Sequence, residues 1–140
     1  MPSLNPSVEQ LKRFAEQMPA GEPILMLNLL RFNHEAAYPV DSEQAPCSGT
    51  EAYARYSRTA LCKVRAAGGE VQVAARAQFA LIAPDQERWD QMLLVRYPSP
   101  EAFLAMLADE EYQAAAIHRT AALADSRLIG HSKRLSAAQR

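Results

Sequence analysis

Along the chain, stretches with one polar face alternate with stretches that have none, and Pro23-Ile24-Leu25-Met26-Leu27-Asn28-Leu29-Leu30-Arg31-Phe32 is the plainest of the second kind. Gly21 and Pro23 punctuate its start, and Asn33-His34-Glu35 closes it with polar groups. Taken alternately, Ile24, Met26, Asn28, Leu30 and Phe32 point one way, and Leu25, Leu27, Leu29 and Arg31 the other. Both sides are apolar, so the run reads as a central strand that must be covered on both faces. Helices can cover one face. The other needs a second layer.

The remaining patterns supply those helices and three more strands. Ser7-Val8-Glu9-Gln10 has the form of a capping box, and Val8, Leu11, Phe14, Ala15 and Met18 recur at helical spacing until Pro19-Ala20-Gly21. Residues 33–49 hold Pro39, Pro46 and Gly49 without periodicity and read as a long loop. With Thr50 as N-cap, Tyr53, Tyr56, Ala60, Val64 and Ala67 form one helical stripe, and Gly68-Gly69 stops it. Glu70 to Ile82 alternates as a strand, with Val71, Val73, Ala75, Ala77, Phe79 and Leu81 expected on one face. A turn over 83–88 leads into a third strand, Trp89 to Tyr97. Ser99-Pro100-Glu101 opens the next helix with N-cap, proline and acid in order. Asp109-Glu110-Glu111 starts another, alanine-rich and expected to run to about Asp125. Arg127 to His131 reads as a fourth strand, and 133–140 as a frayed tail.

The order is a helix followed by β-α-β-β-α-β, which is the ferredoxin-like split arrangement of the α+β class. It implies a four-stranded antiparallel sheet with helices on one face. Three strands carry apolar side chains on both sides, so the open face is expected to meet its counterpart in a second copy. That gives a homodimer through the sheet faces, an α/β barrel. The chain reads as one domain over 1–140, with 1–21 as an N-terminal helical extension and 33–49 as a loop insertion.

Composition narrows the partners. Fifteen basic residues against sixteen acidic give a net charge of -1, which argues against a nucleic-acid footprint. No apolar span is long enough for a transmembrane helix, and the N-terminus lacks a basic-then-apolar export pattern. A cytoplasmic location follows, with Cys47 and Cys62 reduced. Neither cysteine has metal-ligand spacing or a CxxC partner. No HxxxH, HExxH or phosphate-cradling glycine loop is present, so neither metal nor cofactor is expected.

The set Pro23–Phe32, Glu51-Ala52-Tyr53 with Tyr56, Gly68-Gly69, Trp89-Asp90, Tyr97-Pro98-Ser99, Glu111-Tyr112-Gln113 and Arg119 resembles the family called domain of unknown function thirteen-thirty, of the dimeric α/β-barrel superfamily. The likeness spans roughly 22–132 and rests on order and spacing rather than on one piece. It implies a dimer with a pocket between helices and sheet. The superfamily includes cofactor-free monooxygenases, haem-degrading enzymes, small isomerases and cyclases, and ligand-sensing domains, and fold does not choose among them. Typical members lack the N-terminal helix and the 33–49 insertion. Many carry Glu-Gly shortly before the tryptophan, where this chain has Ala83-Pro84, so a role resting on that glutamate does not transfer.

Seven residues stand out as candidate chemistry. Asn28, an amide in a buried strand, costs about 1–3 kcal/mol unless hydrogen-bonded. It either has a structural partner or orients a substrate carbonyl or dioxygen, as an amide does in the monooxygenase relatives. Tyr53 and Tyr56 on the inward stripe are core residues or pocket lining, with Tyr56 a candidate proton carrier. Trp89 either packs or offers an indole N–H to a ligand. Arg96 shares its strand face with Met92 and Leu94 and needs Asp90, an acid across a dimer or a ligand anion. The resemblance makes Arg119 an internal anion-holder, against a salt bridge to Asp125. His118, beside it, is either an exposed helical histidine or an acid/base at neutral pH. The leading reading is a small-molecule-binding barrel, as a cofactor-free monooxygenase- or isomerase-like enzyme. In it Asn28, His118 and Tyr56 are catalytic, and Tyr53, Trp89, Arg96 and Arg119 bind ligand. The alternatives are a haem-binding and haem-degrading protein and a non-catalytic sensing or structural dimer.

Overall fold

The computed structural model describes residues 2–132, and the tail expected to fray lies outside them. Its elements are α1 (Val8–Gln17), β1 (Ile24–Phe32), α2 (Gly49–Ala66), β2 (Glu70–Arg76), β3 (Gln91–Tyr97), α3 (Pro100–Ala108), α4 (Glu110–Ala122) and β4 (Leu123–Ser132). The strands lie in the order β2-β3-β1-β4, each antiparallel to its neighbours. This is the ferredoxin-like α+β arrangement, with the long apolar strand inside the sheet.

The register sorts side chains by face, because residues directly opposite one another share a side. Ile24, Met26, Asn28 and Leu30 align with Tyr97, Val95, Leu93 and Gln91 of β3. These point toward the helices, where Ile24 and Leu30 are wholly buried. Leu25, Leu27 and Leu29 align with Arg96, Leu94 and Met92 on the opposite, open side. The helix stripe read from sequence is the buried one: Tyr56, Ala60 and Val64 of α2 join Phe103, Met106 and Tyr112 over the sheet. α1 packs on the same side, with Phe14 5.5 Å from Phe103. A Cβ on Gly130 would meet the ends of the Phe14 and Met18 side chains at 3.1 Å, so α1 lies in close contact with β4 there.

The caps explain most boundaries. Ser7 and Gln10 form the capping box of α1, and Ser99 with Pro100 opens α3. Four expectations are corrected. α2 is capped by Ser48, whose Oγ accepts from Glu51 N at 3.1 Å, rather than by Thr50. β2 ends at Arg76 instead of Ile82, leaving Phe79, Leu81 and Ile82 exposed in the β2–β3 connection. A bulge between Val71 and Val73 also reverses the alternation: Val71 faces the helices while Val73 and Ala75 face the open side, as an extra residue requires. α4 stops at Ala122 and β4 begins at once. Ladder pairing of Leu123 to Phe32 and Asp125 to Arg31 there overrides the helix preference of the alanine-rich segment.

The 33–49 loop is pinned at both ends. Asn33 N donates to Ala122 O at 2.8 Å, Ala37 N to Ala121 O at 2.8 Å, and Ala36 N to Cys47 O at 2.8 Å. It thereby folds over the junction of α2 and α4.

Candidate functional site

The helix-facing side of the sheet is not uniformly filled. Its apolar packing forms two clusters, one around Ile24, Met26, Tyr56 and Val95, the other around Leu30, Ala52, Ala122 and Leu123. Between them runs the rung Ala74–Leu93–Asn28–Leu128, aligned across all four strands. Leu93 and Asn28 are half-buried, and Leu128 is 41% exposed although it faces the helices. Among the described residues, Leu93 and Tyr53 alone pack against both clusters. The middle rung, in which no residue is fully buried, is therefore the candidate slot beside Tyr53.

Asn28 is held loosely in this slot. Its Nδ2 donates to Met26 O at 3.4 Å, and among the described residues nothing donates to its Oδ1. The Tyr53 hydroxyl likewise has no protein partner there. No described residue buries an unpartnered side-chain polar atom, so both oxygens stay within reach of water. At the β2 end the rung runs into an open groove of about 580 Å³, whose lining includes Phe32, Thr50, Ala74, Arg76, Asp90 and Gln91. That volume lies within the range of small-molecule pockets. The Phe32 ring stands 5.5 Å from that of Tyr53, which joins groove to slot. Asp90 fixes the rim: its Oδ2 accepts from Phe32 N at 2.8 Å and its own N donates to Leu30 O at 2.8 Å.

Behind Tyr53 lies a tyrosine cluster. Tyr53 is 5.2 Å from Tyr56, ring to ring, and the Tyr56 and Tyr112 hydroxyls are 2.7 Å apart. Burial pushes the Tyr53 hydroxyl up to about 12, and burial with the neighbouring Tyr112 pushes Tyr56 up further still. The Arg119 charge opposes both shifts, so its guanidinium belongs to this neighbourhood. Arg119 Nη1 donates to Leu4 O at 2.6 Å, so the N-terminal segment and not Asp125 holds it; Asp125 takes Ser3 N and Arg127 instead. Neutral phenols, a guanidinium and an amide are hydrogen-bond donors. Together they can hold a ligand oxygen; Tyr56, its pKa raised, keeps its proton near neutral pH and acts as a hydrogen-bonding phenol.

Of the seven residues singled out, the fold brings Asn28, Tyr53, Tyr56 and Arg119 to the helix-facing side. The other three lie elsewhere. His118 sits under the 33–48 loop, its Nδ1 2.6 Å from the Tyr38 hydroxyl. Trp89 precedes β3, with the Arg127 guanidinium 5.1 Å above its ring, and Arg127 aligns with Leu29 on the open side. Arg96 is also on the open side, opposite Leu25 and Glu70. Sequence reasoning missed Thr50, Arg76 and Gln91 as groove residues. For Arg76 the reason is the bulge after Val71, which changes the parity of β2 without a mark on the hydrophobic pattern; Thr50 and Gln91, on α2 and β3, are brought to the groove by pairing between distant segments. Among the described residues, no group of three or more His, Cys, Asp or Glu is placed to hold a metal, and no helix is long and apolar enough to cross a membrane.

The model of the family described as domain of unknown function, DUF1330, matches residues 44–130. The chain belongs to the DUF1330 family. RPA0582, a protein of unknown function from Rhodopseudomonas palustris, superposes on this DUF1330 protein with a TM-score of 0.87 at 36% identity, covering 97% of this chain and 100% of that one. Methylated RPA0582 gives the same TM-score of 0.87 and 36% identity, over 97% of this chain and 98% of the other. More distant is SnoaB, a cofactor-independent oxygenase from Streptomyces nogalater, at TM-score 0.47 and 15% identity over 83% of this chain and 97% of its own. A dimeric ferredoxin-like protein of unknown function from Thermobifida fusca stands at TM-score 0.46 and 22% identity, over 80% of this chain and 92% of its own. Curated proteins include no match.

Proposed function

We propose that this DUF1330 protein is a homodimer that binds a small, largely apolar molecule bearing an oxygen-rich head, in the groove and the slot beside Tyr53. The observation that carries the reading is the middle rung. It leaves Asn28 half-buried among Ala74, Leu93 and Leu128, with its Nδ2 on a long bond to Met26 O and its Oδ1 without a protein donor among the described residues. An apolar residue would fill that place at lower cost unless the amide met something. Asn28, Tyr53 and Arg119 are positioned to hold the head, with the Tyr56–Tyr112 hydroxyl pair behind them. Leu93, Phe32 and Ala74 line the body. The same apolar-with-few-polar composition marks small-molecule sites in general.

The second copy is argued from the open side of the sheet. Leu25, Leu27, Leu29, Met92 and Leu94 line it, flanked by Val73 and Ile129, each 45% exposed. A contiguous apolar face of this kind marks an association surface. The two free thiols, Cys47 and Cys62, suit a reducing cytoplasm.

A thermal-shift screen of apolar compounds that carry a hydroxyl, a donor for Asn28 Oδ1, beside a carbonyl or carboxylate tests the site. Binders raise the melting temperature of the wild-type protein by mass action and leave Ala74→Trp, which fills the groove floor from an exposed strand, unmoved. Binders that stabilise wild type and Ala74→Trp equally would place the ligand elsewhere.

A further inference from the structure

His118, Tyr38 and Arg55 form a hydrogen-bonded chain outside the slot. Arg55 Nη1 donates to the Tyr38 hydroxyl oxygen at 3.3 Å and to Ala45 O at 3.1 Å. The guanidinium also lies 5.7 Å from the centre of the Tyr38 ring. With its oxygen receiving from Arg55, the Tyr38 hydroxyl gives its proton to His118 Nδ1, 2.6 Å away. This arrangement needs a neutral imidazole with its proton on Nε2. One loop residue is thereby clamped between α2 and α4.

Protonation breaks that order of donors. An imidazolium carries N–H on both nitrogens, so Nδ1–H would aim at an oxygen already receiving from a cation, and the Tyr38 proton would lose its acceptor. Among the described residues, no carboxylate is paired with His118 to offset the new charge. The groups around His118 are Tyr38 from the loop and Arg55 from α2, while Cys47 and Glu51 lie near Arg55 and Glu51 also faces Arg58 at 3.6 Å. Arg119, next in sequence, is committed to Leu4 O. Burial, then the Arg55 charge, lowers the His118 pKa below its ordinary value. Folding thus favours the neutral ring: the stability this contributes is present above about pH 6.5 and is lost as pH falls through the lowered value.

The clamp bears on the groove because the loop springs from it. Phe32 precedes the loop, Thr50 follows it, and both line the groove. We propose that protonation of His118 unlatches the 33–48 loop and loosens the Phe32–Thr50 mouth of the groove, a pH-operated gate. Its meaning for ligand entry rests on the groove being the ligand site; the latch itself does not.

Hydrogen exchange of the full chain, measured at about pH 7.5 and about pH 5.5 around the histidine range and expressed as protection factors, tests both parts. In the wild type, protection of the Ala36 and Ala37 amides falls about tenfold or more at the lower pH, and Phe32 follows, while Met26 in β1 holds. His118→Gln, which keeps an acceptor but cannot titrate, shows the same protection at both pH values. Tyr38→Phe, which lacks the latch, shows the lowered protection of these amides at both pH values. A wild-type loop with unchanged protection, or a His118→Gln loop that loses protection equally, overturns the latch. A loop that opens while Phe32 stays protected overturns the gate and leaves the ligand site itself intact.

Discussion

The two sides of the sheet solve the same problem differently. On one side, helices from the same chain cover Ile24, Met26 and Leu30, and packing fails only at the rung through Asn28. On the other, Leu25, Leu27 and Leu29 form an equally apolar, partly buried row on the side away from the helices that pack over Ile24, Met26 and Leu30. Apolar surface left to water costs roughly 25 cal/mol per Å², so on the reading proposed above a small molecule fills the first gap and a second copy covers the other.

Substitutions along β1 break or sharpen this contrast. The largest effect is expected at Leu30, wholly enclosed by the chain's own helices. Leu30→Ala costs about 2–5 kcal/mol in denaturant unfolding, and a smaller loss would mean that the second cluster is not a packed core. Leu27→Asp, on the uncovered side, leaves the helix layer folded by circular dichroism but halves the sedimenting mass to that of the 15.5 kDa chain. If it unfolds the protein instead, the open side belongs to the chain's own core. Asn28→Ala, on the covered side but in the slot, costs under about 1 kcal/mol, because its 3.4 Å bond to Met26 O is long and local. It weakens any slot ligand nonetheless. A penalty as large as that of Leu30→Ala would make the amide structural. The smallest effect is at Arg127→Ala, which removes the cation above Trp89 and loses about 0.5 kcal/mol. With one tryptophan in the chain, a shift of its fluorescence reports the change directly.

How far this was legible without coordinates depends on the range of the interactions. The strand through Asn28, the Ser7 capping box, the Ser99-Pro100 helix start and the inward stripe of Tyr56, Ala60 and Val64 are local patterns, and the fold follows from their order. Two-sided apolar character in β1 already told which strand was central. What stayed hidden was decided by pairing between distant segments. The bulge at Gln72 flips β2 only because β3 lies beside it, and β4 begins at Leu123 only because β1 is there to pair. His118 looked like a neighbour of Arg119 in function as in sequence. Adjacent residues on a helix diverge by about 100°, and here one meets the loop through Tyr38 while the other meets the N-terminal segment at Leu4. Tyr38 itself, in a stretch with no periodicity, carried no signal at all.

The slot is the feature on which the functional reading stands, and crystallographic density of the protein as purified, or soaked with a compound from the thermal-shift screen, examines it most directly. The account predicts density for a small non-protein molecule beside Tyr53, with an oxygen within hydrogen-bond distance of Asn28. Tyr53, Leu93 and Leu128 closed onto one another over Asn28, leaving no space between the two clusters, would contradict it.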